Sequence, residues 1–150
     1  MKLALDTNIL AYAEGVNGVE RRDQALALIA RIPPDAGMIP AQALGELFAV
    51  LVRKAGRTKA EARDVLLAWR DAFPAIETAP ETVLLAADLA ADHGFGIWDS
   101  VMLAAASQSG CRLLLSEDMQ DGFTWGGVTI VNPFSSSPSS MLEALLGEAP

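Results

Sequence analysis

Apolar and polar positions recur along the chain with two different periods, and the switches between them outline the elements. Residues 2–6 form a short apolar run closed by Asp6, a pattern that predicts a buried strand delivering a carboxylate to its end. Thr7 or Asn8 is expected to cap a short helix to about Ala13, and Gly15, Asn17 and Gly18 mark a loop. Residues 19–32 have helical periodicity through Ala25, Leu26, Leu28, Ile29 and Ile32, until Pro33 and Pro34 stop it. Met38 and Ile39 read as a second strand. Residues 41–55 form a helix that is apolar almost all round, so it is expected to be buried. Gly56 suits its carboxyl cap.

Thr58 and Glu61 have the spacing of a capping box and open a helix to about Phe73. Residues 75–78 give a weak third strand. Thr78, Pro80 and Glu81 repeat the start signal for a helix ending at His93 and Gly94. Residues 95–98 are expected to be loop, and Asp99 to open a helix closed by Gly110. Residues 111–115 are a strongly apolar fourth strand running into Ser116, Glu117 and Asp118. Residues 122–127 read as loop and 128–131 as a fifth strand. Strands separated by helices throughout predict an α/β fold with a parallel sheet and helices on both faces.

The length of 150 residues suits one core. With 51% hydrophobic and 20% charged residues, the composition is globular rather than disordered. No apolar run is long enough to span a bilayer, and the start does not read as a signal peptide, so a cytoplasmic protein with no membrane partner is expected. One cysteine and one histidine exclude Cys- or His-rich metal sites within the chain. A metal here must be held by oxygen. The formal charge of -8 argues against a polyanionic partner, yet Arg53, Lys54, Arg57, Lys59 and Arg63 fall in one short stretch. That stretch is either a solvated helix end or a phosphate-attracting patch.

Four carboxylates are the candidate chemistry. Asp6 ends the first strand and Asp118 follows the fourth. Asp99 stands at a helix start, where a capping role alone would explain it. Glu46 is surrounded by Ala43, Leu44, Leu47, Phe48 and Val50, where an unpaired carboxylate is costly to bury. Clustered carboxylates repel one another and a divalent cation relieves that repulsion. All-oxygen ligation suits Mg²⁺ or Mn²⁺, an ion that activates water and stabilises charge building on a phosphate. Thr7, Asn8 and Ser116 stand beside the ligands and suit holding carboxylates or waters in place.

The stretches LALDTNIL (3–10), PAQALGELF (40–48), GIWDSVMLAAA (96–106) and LLLSEDM (113–119) resemble the four acidic motifs of PIN-domain ribonucleases. The similarity is strongest to the VapC-like toxins of bacterial toxin–antitoxin pairs. It runs over about residues 2–134, a PIN-like nuclease domain. Residues 135–150 follow as a Ser-rich linker and a short apolar C-terminal helix, to which nothing is carried over. The resemblance implies five strands in the order 3-2-1-4-5. It also implies a Mg²⁺- or Mn²⁺-dependent endoribonuclease that leaves 5′-phosphate and 3′-hydroxyl ends. Asp6, Glu46, Asp99 and Asp118 are then the catalytic metal ligands, with Glu117 or Asp121 as candidates to share the role of Asp118. A cognate antitoxin and a homodimer are implied in the same way.

From the residues themselves, Arg53, Lys54 and Arg57 are candidate contacts to an RNA backbone. The rival functions are a DNA-cleaving phosphodiesterase on the same site and a non-catalytic partner-binding module. Gly94 and Gly96 do not form a dinucleotide loop, since a helix precedes them and the third glycine is missing. His93 reads as a surface group at a helix carboxyl end. Trp98 reads as a loop aromatic folded into the core, with stacking on a base as the alternative.

Overall fold

The run Leu3, Ala4, Leu5 is wholly buried, as a strand covered on both faces must be. A computed structural model describes residues 1–147. In it this run forms β1 (Leu3–Leu5), flanked by β2 (Gly37–Pro40) and β4 (Leu113–Leu115), both parallel to it. β3 (Ala75–Ile76) pairs with β2, and β6 (Val128–Val131) pairs with β4, again in parallel. With β5 (Thr124–Trp125) at the far edge, the order is β3-β2-β1-β4-β6-β5.

The expected order 3-2-1-4-5 therefore holds, the fifth expected strand being β6. The sixth strand, β5, lies inside the stretch expected to be loop and runs antiparallel to β6. Gly126 and Gly127, with φ of +58° and +80°, supply the two positive angles that a two-residue hairpin turn demands. Two residues are too few to show an alternating pattern, so β5 leaves its mark only in that glycine pair.

The helices are α1 (Thr7–Ala13), α2 (Val19–Ala30), α3 (Ala41–Arg53), α4 (Lys59–Ala72), α5 (Pro80–His93), α6 (Ile97–Gln108) and α7 (Ser140–Gly147). The α1 cap is Asp6, not Thr7 or Asn8: its Oδ1 accepts from the Thr7 amide at 2.7 Å. α3 buries Ala43, Leu47 and Leu51 fully, while Leu44, Phe48, Val50 and Val52 are only partly covered, so one stripe rather than the whole helix is interior. The Thr58–Glu61 capping box forms as expected. At α5 the cap is Ala79, whose amide donates to Thr82 Oγ1 at 3.3 Å, in place of Thr78.

α6 begins at Ile97, two residues earlier than expected. This places Trp98 inside its first turn, where 61% of the residue is exposed. The expectation that Trp98 folds into the core is overturned: the helix buries residues 100–106, and its opening turn projects beyond the core. α7 lays Leu142, Leu145 and Leu146 into the main core, with Arg31 and Glu143 paired at 3.2 Å above it. The last three positions of the expected tail, 148–150, lie outside the described residues. Among the described residues, no helix is long and apolar enough to cross a membrane.

β1 continues to β2 on one side, while β4 pairs with it on the other, so the topology switches direction between β1 and β4. The ladder extends one residue further: the Asp6 amide donates to Leu115 O and the Ser116 amide to Val131 O, each at 3.0 Å. Asp6 and Ser116 thus leave adjacent strand ends, where open α/β sheets form their crevice.

Packing around β2 is tight enough to test. A Cβ at Gly37 would stand 2.6 Å from the buried Phe73 ring and 3.3 Å from Ile32 Cγ2. Gly37→Ala should therefore lose about 1–3 kcal/mol in a denaturant titration. Gly45→Ala in α3, where a Cβ meets nothing within 4 Å, should gain up to about 1 kcal/mol. Equal effects from the two would contradict this packing.

Candidate active site

The strand-end crevice opens into a cavity of about 520 Å³ lined by Asp6, Glu46, Asp99 and Asp118, together with Thr7, Asn8, Tyr12, Arg53 and Lys54. Four carboxylates spread over more than a hundred residues of sequence share one wall. Asp6 arrives on the end of β1, Glu46 on α3, Asp99 in the first turn of α6, and Asp118 on the loop after β4.

Asp6 is 6% exposed and held from three directions. Ser116 Oγ donates to its Oδ2 at 2.7 Å, Asn8 Nδ2 to the same oxygen at 3.2 Å, and the Thr7 amide to Oδ1. Glu46 is held by the Thr7 hydroxyl on Oε2 at 2.7 Å and by Gln42 Nε2 on Oε1 at 2.6 Å. Asn8 Nδ2 also reaches Asp118 Oδ2 at 3.2 Å. The fully buried Ser116 hydroxyl accepts from the amides of Asp118 and Met119, each at 3.2 Å, which fixes the loop that carries Asp118. Thr7, Asn8 and Ser116 each contact a carboxylate of the expected set.

Burial is the largest influence on Asp6 and pushes its pKa up to about 6. The hydrogen bonds from Ser116 and Thr7 oppose the rise, and the charges of Glu46 and Asp99 add to it. Asp99 is raised too, by burial first and then by Glu46 and Asp118. The carboxylates therefore sense one another across the pocket.

The other expected residues divide. Arg53 and Lys54 line the pocket. Arg57 is not among its lining residues: its guanidinium pairs with Glu14 Oε1 at 2.8 Å and Glu14 O at 2.7 Å. Glu117 accepts from the Tyr12 hydroxyl at 2.6 Å and pairs with Arg21 at 2.9 Å, and Asp121 accepts from the Asn132 amide at 2.9 Å. Burial, then the hydrogen bond to Glu117, pushes Tyr12 up to about 12, so it stays a donor at physiological pH. Gln42 stands one turn before Glu46 on α3, and that spacing is the sequence signal for their contact. The pairing of Tyr12 and Arg21 with Glu117 has no local signal, since it joins residues about a hundred positions apart.

Donor chemistry fits a hard divalent cation: four carboxylates line the pocket, with hydroxyls and an amide behind them. As the side chains stand, no three His, Cys, Asp or Glu among the described residues converge closely enough to hold one ion. Both Glu46 oxygens and both Asp6 oxygens are engaged by protein donors.

Sheet order, switch point and acidic pocket define a doubly wound α/β protein with an oxygen-donor site at its strand ends. The family model described as PIN domain matches residues 3–120, and the chain belongs to the PIN-domain family. No match was found among curated proteins. Among solved structures, it is similar to the VapC20 toxin of Mycobacterium tuberculosis, described as cleaving the sarcin–ricin loop. That likeness has 21% identity and a TM-score of 0.64, covering 75% of this chain and 87% of the other. A toxin–antitoxin complex from Klebsiella pneumoniae matches at 19% identity and TM-score 0.66, covering 89% and 98%. FitAcB from Neisseria gonorrhoeae matches at 17% identity and TM-score 0.65, covering 88% and 98%. Likenesses at these identities establish the shared fold.

The Asp6 environment makes a pH prediction. Its carboxyl titrates near 3.8 when unfolded and about 6 when folded, so between those values the folded chain binds more proton. Its stabilising contribution is full below pH 3.8 and is lost as pH rises through about 6, a loss on the order of 3 kcal/mol. Asp6→Asn keeps a good helix cap and removes the charge. In chelator at neutral pH the variant should melt higher than the parent and should flatten the decline in stability across that window. A steeper decline in the variant would contradict the assigned environment.

Proposed function

We propose that this protein is a Mg²⁺- or Mn²⁺-dependent endoribonuclease, acting in the cytoplasm as the toxin of a type II toxin–antitoxin pair. The observation that carries the reading is the shared pocket: four carboxylates from distant stretches line one cavity with Arg53 and Lys54. Asp6, Glu46, Asp99 and Asp118 would hold the ion, which supplies Lewis acidity toward a phosphate oxygen and lowers the pKa of water.

The protein's own groups do the positioning. Ser116, Asn8 and the Thr7 amide fix the Asp6 carboxylate, and Thr7 and Gln42 fix Glu46. Asn8, bridging Asp6 and Asp118, sets the spacing across the strand ends. Arg53 and Lys54 would draw the RNA backbone over the acidic wall, local cations opposing a chain of formal charge -8. An antitoxin and a second copy of the chain are proposed partners. The antitoxin is supported by the Klebsiella likeness, itself a toxin–antitoxin complex. An antitoxin residue that neutralises the pocket would be Arg or Lys.

With Mn²⁺ present, the parent should cleave a single-stranded oligoribonucleotide and spare the matched DNA. Asp6→Asn should lose cleavage while retaining its circular dichroism spectrum. Mn²⁺ should raise the parent's melting temperature by an amount equivalent to about 2.7 kcal/mol at a hundredfold excess over Kd, and should leave the variant unmoved. Full activity in Asp6→Asn would refute the site, and cleavage of DNA alone would replace RNA as substrate.

The backbone contacts are tested separately. Replacing Arg53 and Lys54 together with Gln should weaken RNA binding across sequences and reduce its salt slope by about one per lost phosphate contact. An unchanged slope would remove both from the interface.

A further inference from the structure

We propose that Trp98 is a stacking platform for an unpaired nucleobase of single-stranded RNA at the rim of the acidic pocket. This deepens the ribonuclease reading and rests on it.

An indole left 61% exposed contrasts with Trp69, which is 8% exposed and stacked on Phe73. Among the described residues, no aromatic ring or cation is stacked on Trp98. It immediately precedes Asp99, a lining residue of the pocket, in the first turn of α6.

The backbone beneath the ring is anchored. Gln42 Nε2 donates both to Glu46 Oε1 at 2.6 Å and to the carbonyl of Trp98 at 3.2 Å, so one amide ties the start of α6 to the carboxylate on α3. Gln42 Oε1 is buried and unpartnered among the described residues. The backbone that carries the ring is thus ordered before any ligand lands on it.

The occupant follows from the neighbours. Arg53 and Lys54 line the same pocket and suit phosphates, which position a strand without reading it. An exposed aromatic face on the residue before Asp99 suits a base, because single-stranded RNA presents unstacked bases that aromatic side chains take up. Trp98 directly precedes Asp99, and its carbonyl shares the Gln42 amide with Glu46, so a base stacked on the ring would lie at the edge of the pocket that takes the phosphate.

The test uses the full chain carrying Asp6→Asn, so that RNA stays intact, titrated with a single-stranded oligoribonucleotide and with versions holding one abasic position. Binding should quench tryptophan emission, and adding Trp98→Phe should remove most of that quench while keeping affinity within about threefold. Adding Trp98→Ala should weaken binding about fivefold or more, the loss expected for one stacked base. One abasic position should cost the Trp98 chain a similar factor and cost the Trp98→Ala chain nothing. Unchanged affinity in Trp98→Ala overturns the platform but leaves the nuclease reading standing if the parent still cleaves RNA. A shift in oligomeric state on Trp98→Ala, read by light scattering, overturns it in favour of a protein contact. If neither parent nor Asp6→Asn engages RNA, both readings fall.

Discussion

A carboxylate withdrawn from water beside other carboxylates is the constraint around which this molecule is arranged. Asp6 lies at the joint between β1 and α1 and is almost fully buried, with Glu46 and Asp99 close enough to raise its pKa. Hydrogen bonds to a charged group contribute about 1.5–3 kcal/mol each, and here they come from the elements that meet at that joint. The Thr7 amide is the first free amide of α1. Ser116 is delivered by β4, whose parallel register sets Leu5 against Leu115 and so brings the next residues side by side. Shift that register by one residue and Ser116 would face the opposite side of the sheet. The sheet topology and the solvation of Asp6 are therefore one requirement met by the same strand pair.

Past β4, consecutive acidic residues take different roles because their side chains meet different partners. Ser116 turns inward, donates to Asp6 and gathers the Asp118 and Met119 amides. Glu117 is drawn to Tyr12 and Arg21, and the Arg21 guanidinium lies 4.5 Å from the Phe134 ring centre. Asn8 accepts from the Glu117 amide at 3.1 Å while its amide nitrogen reaches Asp6 and Asp118. This leaves Asp118 on the pocket wall and assigns Glu117 to holding the loop.

Much of this was legible in the order of residues. Apolar runs that end in a carboxylate mark parallel strands buried on both faces, the α4 capping box is written in Thr58 and Glu61, and the strand order followed from the resemblance to PIN-domain sequences. What stayed hidden depends on where distant segments meet. Four of the five cations close in sequence part company in space: Arg53 and Lys54 reach the pocket, Arg57 turns to Glu14, and Arg63 lies 3.6 Å from its neighbour Asp64. Trp98 was assigned to the interior because large aromatics are usually covered. Its exposure follows from α6 starting two residues early, a shift that no capping side chain marks, since Gly96 caps the helix without one.

The formal charge of -8 opposes the proposed RNA substrate only if it is summed over the whole surface. At physiological ionic strength, charges separated by more than about 8 Å are largely screened from one another in solvent, so most of the -8 acts weakly on a strand crossing one pocket. Inside the cavity the balance is local: four carboxylates set against Arg53 and Lys54 on the same lining. Burial first, and the neighbouring carboxylates after it, raise Asp6 and Asp99, so the pocket favours whatever brings positive charge to them. A proton, a cation or a basic side chain each answers that demand, which is why one acidic wall can suit both a phosphodiester chemistry and a basic inhibitory segment. Which of them occupies it is decided by reach and shape around the pocket, whose lining includes Asp99 from α6 and Val50 and Arg53 from the end of α3.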